Sequence, residues 1–139
     1  MKDITPIKEA FSSTHRDRIY ILDKNTLKVF EVSDEDDEDY KLEIAAKVQK
    51  SPDRYIPIPK RQGHQSFEDM RTFINTKISN KGLQEKLRRA ISTEKGAFSR
   101  FKDTLSVEDQ AILREWYDYL EECIEEEVIQ WLRENYINI

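Results

Sequence analysis

The most constraining feature of the sequence is an apolar stripe with helical spacing that runs through its last quarter. Apolar residues recur every three or four positions from Ile112 to Leu132, which is the period of one face of an α-helix. A helix of about 25 residues would be close to 40 Å long. The stripe comprises Ile112, Leu113, Trp116, Tyr117, Leu120, Ile124, Val128, Trp131 and Leu132. Because such a face must be buried, the rest of the chain is expected to supply elements that cover it.

The helical half of the chain is predicted to begin at Ser66, whose side chain is expected to cap the first helix together with Asp69. Gly82 and Gly96 interrupt the apolar pattern and divide the region into three helices that precede the long one. The predicted helical half covers residues 66–137 and forms a layer of helices.

The first half is predicted to contain a short helix and a three-stranded antiparallel sheet. Proline at position 6 suits the first turn of a helix. Residues 18–32 are rich in β-branched and aromatic side chains and predict a hairpin. The segment 54–59 contains two prolines and is therefore expected to be an edge strand, and an acidic helix is predicted before it. The predicted fold is α+β in a single domain, residues 1–139, whose sheet-forming half is residues 1–60.

Composition limits the classes of protein and site that the chain can represent. Hydrophobic and charged residues each make up 37% of the 139 residues, so one modest core under a charged surface is expected. Cys123 is the single cysteine, which excludes an intrachain disulfide and a cysteine-based metal site. It is expected to be a small core residue whose pKa is raised by neighbouring glutamates. The chain lacks an apolar run of about 20 residues and a signal-peptide pattern at its start, so a cytoplasmic location without membrane contact is expected.

Charge is strongly segregated along the chain. Six consecutive acids occupy residues 34–39, whereas residues 81–102 hold seven cations and two acids, a local charge of +5 in a chain of net charge −5. The candidate binding residues of the basic segment are Arg88, Arg89, Arg100 and Lys102. They favour either a solvated or protein-contacting face or a nucleic-acid interface. The acidic run and the basic segment also allow self-association between protomers.

No motif indicates a catalytic, metal or cofactor site. His15 and His64 lack the spaced partners of metal ligands, and the serines lack a nucleophile elbow. The favoured function is therefore a non-enzymatic interaction or regulatory module, with nucleic-acid binding as the alternative. A hydrolase of unrecognised type is the third hypothesis, and it requires a buried carboxylate in a polar pocket. Phe98 and Phe101 have helical spacing and are expected to lie in the core.

Several motifs, taken in order, resemble those of a family of small bacterial proteins. They are Arg54-Tyr55 with Ile58-Pro59, then Phe67, Met70 and Phe73, then Gly96-Ala97-Phe98-Ser99-Arg100-Phe101-Lys102, and finally Trp116-Tyr117 and Trp131-Leu132. Over most of the chain this order resembles Uncharacterised Protein Family 0158. Leu27 departs from the resemblance, because a glycine is expected after Thr26 in the hairpin turn. The family has no established activity, so the resemblance implies no mechanism; Arg54 and Tyr55 complete the set of candidate binding residues.

Overall fold

The computed structural model describes residues 2–139 and has an α+β fold, as the sequence predicts. Its elements in chain order are α1 Thr5–Phe11, β1 Arg18–Asp23, β2 Val29–Ser33, α2 Glu38–Lys50, β3 Tyr55–Pro57, α3 Gly63–Lys77, α4 Lys81–Ala90, α5 Ala97–Glu108 and α6 Gln110–Glu134. The long final helix of 25 residues is confirmed, as is the short helix at the start of the chain.

The three strands form one antiparallel sheet in the order β2-β1-β3. Ile21 of β1 pairs with Phe30 of β2 on one side and with Pro57 of β3 on the other. The predicted hairpin and edge strand are both confirmed. The edge strand is shorter than the predicted 54–59 and ends at Pro57. Proline lacks the N–H that a strand donates, which suits β3 to an edge position. Just beyond its end, the Ile58 N–H still donates to the Tyr20 carbonyl of β1 at 2.8 Å.

The turn between β1 and β2 keeps the conformation expected for glycine even though leucine occupies the position. Leu27 has φ of 64° and is buried. Its N–H donates to the Asp23 carbonyl at 2.8 Å, and the Asp23 N–H donates to the Lys28 carbonyl at 2.9 Å. A left-handed conformation costs about 1–2 kcal/mol for a residue with a side chain, and burial of the leucine side chain offsets this cost.

The chain groups into two compact units, one made of residues 2–60 with 126–139 and the other of residues 61–125. In the first unit, the apolar faces of α1, β1 and the last turns of α6 supply fully buried side chains. These are Ile7, Leu22, Val128 and Leu132. Phe11 meets Trp131 edge to face at 5.6 Å between ring centroids. That both units fold together as a single domain stays a prediction.

The second unit has an aromatic core. Phe73 of α3 lies 6.3 Å from Phe101 of α5 and 5.3 Å from Trp116 of α6, and the last two rings are 4.8 Å apart, all in edge-to-face contact. All three side chains are fully buried. Edge-to-face pairs at these distances are favourable beyond the area that they bury, so this trio fixes how α3, α5 and α6 pack.

The starts of α3 and α4 are set by side chains that cap them. α3 begins at Gly63, so the predicted start at Ser66 is wrong by three residues. Gln62 and Gln65 form a reciprocal capping box, in which the Gln62 N–H donates to Gln65 Oε1 at 2.6 Å. This pair satisfies backbone donors earlier than Ser66 could. Asn80 caps α4 by accepting a bond from the Leu83 N–H at 2.9 Å.

The end of α6 is closed by a Schellman motif. The Ile137 N–H donates to the Leu132 carbonyl at 2.9 Å, and the Tyr136 N–H donates to the Arg133 carbonyl at 3.0 Å. Tyr136 adopts φ of 59° at the position where glycine is usual, while 93% of its surface is exposed. Tyr136 thus carries a left-handed backbone without packing that compensates for it.

Candidate functional site

Arg100 is engaged with the backbone of the segment between α4 and α5. Its guanidinium donates to the carbonyls of Ala90, Thr93 and Lys95 at 2.6, 2.5 and 2.8 Å. Carbonyls at a helix end otherwise lack partners within the helix, so Arg100 closes α4 and orders the turn after it.

Gly96 makes this arrangement possible. It is the N-cap of α5 with φ of 76°, a conformation that side chains disfavour. A Cβ at this position would lie 2.7 Å from Arg100 Nη1, closer than van der Waals contact allows. The residues most typical of the family resemblance therefore form a structural unit, in which Ala97 and Phe101 are buried and Arg100 binds the preceding turn.

Other cations of the basic segment have partners close to them in the chain or in the fold. Arg89 pairs with Glu85 at 2.8 Å and Lys86 with Glu108 at 2.6 Å. The Lys102 ammonium lies over the Phe98 ring, 5.1 Å from its centroid. Phe98 is 36% exposed and Phe101 is fully buried, so the core prediction is correct for Phe101 and wrong for Phe98. The difference arises because Phe98 lies on the edge of the buried face of α5.

The second unit contains a cleft between α3 and α4, called here the α3–α4 cleft. It has a volume of about 360 Å³. Its lining residues recur with helical spacing, so each helix presents one face to it. They are Phe67, Arg71, Ile74 and Asn75 of α3 with Arg88, Ile91 and Ser92 of α4 and its end. Ile74 and Ile91 are buried and form an apolar floor, whereas the polar side chains are exposed.

Two guanidinium groups flank this apolar floor. Arg88 donates from Nη2 to the neutral amide oxygen Asn75 Oδ1 at 3.0 Å, a contact that orients the side chain without neutralising its charge. Arg71 lies 3.2 Å from Glu68, and both side chains are more than half exposed. An exposed pair of this kind contributes only about 0–1 kcal/mol, so Arg71 can exchange Glu68 for another carboxylate. The cleft can thus hold a group that combines an apolar side chain with carboxylates.

The structure separates candidate residues that are neighbours in the sequence. Arg88 lines the α3–α4 cleft, whereas Arg89 lines a second cleft of about 440 Å³ with Lys86, Val107 and Glu108. Arg71 was not a candidate from the sequence, because it lies outside the basic segment. The helical spacing of Phe67, Arg71 and Asn75 could have indicated that Arg71 shares a helix face with them. It could not have shown which helix packs against that face.

Arg54, another candidate binding residue, forms an ion pair with Asp23 in the first unit. Its Nε and Nη2 donate to the two Asp23 carboxylate oxygens, both at 2.9 Å. Asp23 is 3% exposed and also accepts a bond from the Asn25 N–H at 2.9 Å. The hydrogen bonds from Arg54 lower the pKa of Asp23 to about 2, while burial opposes them. This buried carboxylate is ionised at neutral pH and is not suited to act as a general acid.

Tyr55, the remaining candidate, follows Arg54 at the start of β3. The Arg54 guanidinium lies over the Tyr55 ring, 5.3 Å from its centroid, and Phe30 of β2 contacts the same ring edge to face at 6.3 Å. The side chains of Arg54 and Tyr55 therefore support the hairpin and its neighbouring strand.

Cys123 lies near a second well-buried ion pair, that of Arg61 with Asp69. The two charged groups are 2.5 Å apart, and the Arg61 side chain is only 5% exposed. Burial raises the pKa of the Cys123 thiol, and the Asp69 carboxylate adds to the rise. The predicted direction of the pKa change is correct, but its main causes are burial and Asp69 rather than the glutamates of α6.

Residues 2–139 contain no cluster of three or more histidine, cysteine or acidic side chains with the geometry of a metal site. Across the same residues, no helix is both long enough and apolar enough to cross a bilayer.

Comparison with known proteins identifies similar sequences but no solved structure. The profile of a family described as Uncharacterised protein family (UPF0158) matches residues 2–139. A UPF0158 protein of Chlamydia pneumoniae is 29% identical over 132 residues, which are 95% of this chain and 40% of that protein. A UPF0158 protein of Chlamydia trachomatis serovar D is 28% identical over 129 residues, 93% of this chain and 39% of that protein. The chain thus spans about 40% of the length of these curated relatives. No solved structure matches it significantly.

Proposed function

The chain belongs to Uncharacterised protein family UPF0158, and within this family we propose that it acts as a non-enzymatic protein-interaction module of the bacterial cytoplasm. The single observation that carries the proposal is the α3–α4 cleft, where Arg71 and Arg88 flank an apolar floor. Such a cleft suits a partner segment in which carboxylates flank an apolar side chain. Arginine is the cation best matched to carboxylates, because its planar group can form two parallel hydrogen bonds.

The alternative of nucleic-acid binding has less support from the same contacts. A nucleic-acid interface needs several cations that are free to meet successive phosphates. Arg100 is directed at three backbone carbonyls, and Arg88 and Arg89 line two different clefts. These observations favour an acidic protein segment as the ligand of the cleft.

The experiment is a nuclear magnetic resonance titration of the labelled chain with three probes. The first is a short peptide with one leucine flanked by pairs of glutamates, the second its counterpart with lysines in place of glutamates, and the third a short DNA duplex. The glutamate peptide is expected to shift the amide signals of Ile74, Asn75 and Ile91. Exposed ion pairs and one buried leucine give weak binding, with a Kd of about 0.1–1 mM.

The Arg71→Glu/Arg88→Glu variant is expected to lose these shifts. A matched control is Lys77→Glu/Lys95→Glu, which makes the same change in net charge at exposed positions that do not line the cleft. The proposal is wrong if the glutamate peptide gives no shifts in the cleft, or if the DNA duplex gives the larger response there.

A further inference from the structure

The outer face of α2 carries carboxylates around one exposed leucine. Leu42 is 64% exposed, although leucine is among the residues most often buried. Glu38 and Asp39 lie one turn before Leu42 on the same face and are exposed, with Glu38 3.4 Å from the Lys41 ammonium. Glu43, the next residue in the chain, is also exposed and lies at the side of this face. Ile44 is buried and marks the opposite, inner face of the helix. Packing within the unit therefore does not explain why Leu42 stands among acids on the outer face.

This face of α2 complements the α3–α4 cleft in charge and in apolar character. The helix offers an apolar side chain with carboxylates beside it, and the cleft offers an apolar floor with guanidinium groups beside it. A helix that lays an apolar residue into a groove is a common way of recognising a protein segment. We infer that the cleft receives α2 of a second copy of the chain, with Leu42 on the apolar floor.

The two contacting surfaces are different, so each copy offers one donor helix and one acceptor cleft. Contacts of this kind are heterologous, and they extend to further copies unless they close into a ring. The carboxylates of α2 meet Arg71 and Arg88, so association depends on charge and weakens as salt screens it. This inference rests on the proposed function, since both assign the cleft to an acidic protein segment, and it names that segment as the chain's own α2.

The first measurement is sedimentation velocity of the wild-type chain over a range of concentrations. In about 50 mM salt the average mass is expected to rise with concentration toward about 0.5 mM, and in about 500 mM salt the association constant should fall roughly tenfold. Arg71→Glu/Arg88→Glu removes the acceptor and Leu42→Ser/Glu43→Lys removes the donor. Each variant is expected to remain monomeric, while Lys77→Glu/Lys95→Glu should associate as the wild type does.

The second measurement mixes the two defective variants. The acceptor-defective chain still has an intact α2, and the donor-defective chain still has an intact cleft. When the donor-defective chain is isotope-labelled, adding the unlabelled acceptor-defective chain is expected to shift its Ile74, Asn75 and Ile91 amide signals. Adding unlabelled donor-defective chain should shift none of them. Circular dichroism of each variant checks that the substitutions at exposed positions leave the fold intact.

Three results would overturn the inference: a wild-type mass that stays at the monomer value, association that survives in either variant, or no shifts on mixing. If the glutamate peptide still binds the cleft in those cases, only the choice of a second copy is wrong and the proposed function stands. If neither the peptide nor the second copy binds, both proposals fail.

Discussion

Replacing Asp23 with asparagine tests the ion pair that joins the hairpin turn to the start of β3. The substitution keeps an oxygen that can accept the Asn25 N–H, but it removes the charge that Arg54 binds through two hydrogen bonds of 2.9 Å. Because the side chain at position 23 is almost fully buried, water cannot replace the charge-assisted hydrogen bonds to Arg54 that the asparagine loses. We expect the first unit to become less stable at neutral pH.

The size of this effect follows from the pKa of Asp23, which is lowered from 3.8 to about 2. One unit corresponds to about 1.4 kcal/mol, so ionised Asp23 contributes up to about 2 kcal/mol at pH 7. The folded-state pKa lies below the unfolded value, so this contribution is present above pH 3.8 and is lost as the pH falls toward 2. About half of it should remain at pH 3 and only a small part at pH 2. Because the Arg54 side chain is 40% exposed, these values are upper bounds.

The assay is urea unfolding followed by circular dichroism, for wild type and Asp23→Asn, at several pH values from 7 to 2. The difference in free energy of unfolding should shrink as the pH falls. The Arg54→Met substitution should destabilise at least as much at pH 7, and the double variant should show a coupling of about 2 kcal/mol. As a control, Glu35→Gln at an exposed position should change stability by less than about 0.5 kcal/mol. A difference between wild type and Asp23→Asn that is constant from pH 7 to pH 2 would refute the reasoning.

Three further predictions concern other features. Gly96→Ala should lower the free energy of unfolding by about 1–3 kcal/mol, because the alanine Cβ would meet Arg100 and the backbone φ is positive. An unchanged midpoint of urea unfolding would contradict this. Tyr136→Gly should raise it by about 1 kcal/mol, since the exposed ring packs on nothing that offsets the left-handed backbone; Tyr136→Ala is the control and should have little effect. Cys123, whose pKa is raised, should react slowly with iodoacetamide at pH 7 and faster above pH 9, and rapid labelling at pH 7 would contradict the raised pKa.

The features that sequence predicted well are those decided by residues close together in the chain. The hairpin of residues 18–32 follows from alternating β-branched and aromatic residues, and the edge position of β3 follows from its prolines. The 25 residues of α6 follow from the helical period of its apolar stripe. The start of α3 was harder to predict, because both Ser66 and the Gln62–Gln65 pair can cap a helix. The helix begins after Gln62, where the pair forms two reciprocal hydrogen bonds.

The candidate site was less accessible, because it depends on which helices become neighbours. Arg71 and Arg88 lie on different helices, and nothing in their spacing shows that α3 and α4 pack side by side. The count of charges treats residues 81–102 as one basic surface. In the fold, Arg100 binds backbone carbonyls, and Arg88 and Arg89 line different clefts. Sequence reveals how many cations there are, but their partners are determined by tertiary packing.

The division of the chain into one continuous and one discontinuous unit has a consequence for synthesis on the ribosome. Residues 61–125 form a unit from one uninterrupted stretch, whereas the sheet-containing unit needs residues 126–139 for its buried Val128 and Leu132. Chains fold as their residues emerge, so we predict that the second unit gains protease resistance before the first, although it is made later. A chain that ends at residue 125 and has been released from the ribosome should protect the 61–125 stretch alone. Equal protection of the first unit in that chain would show that it does not wait for residues 126–139.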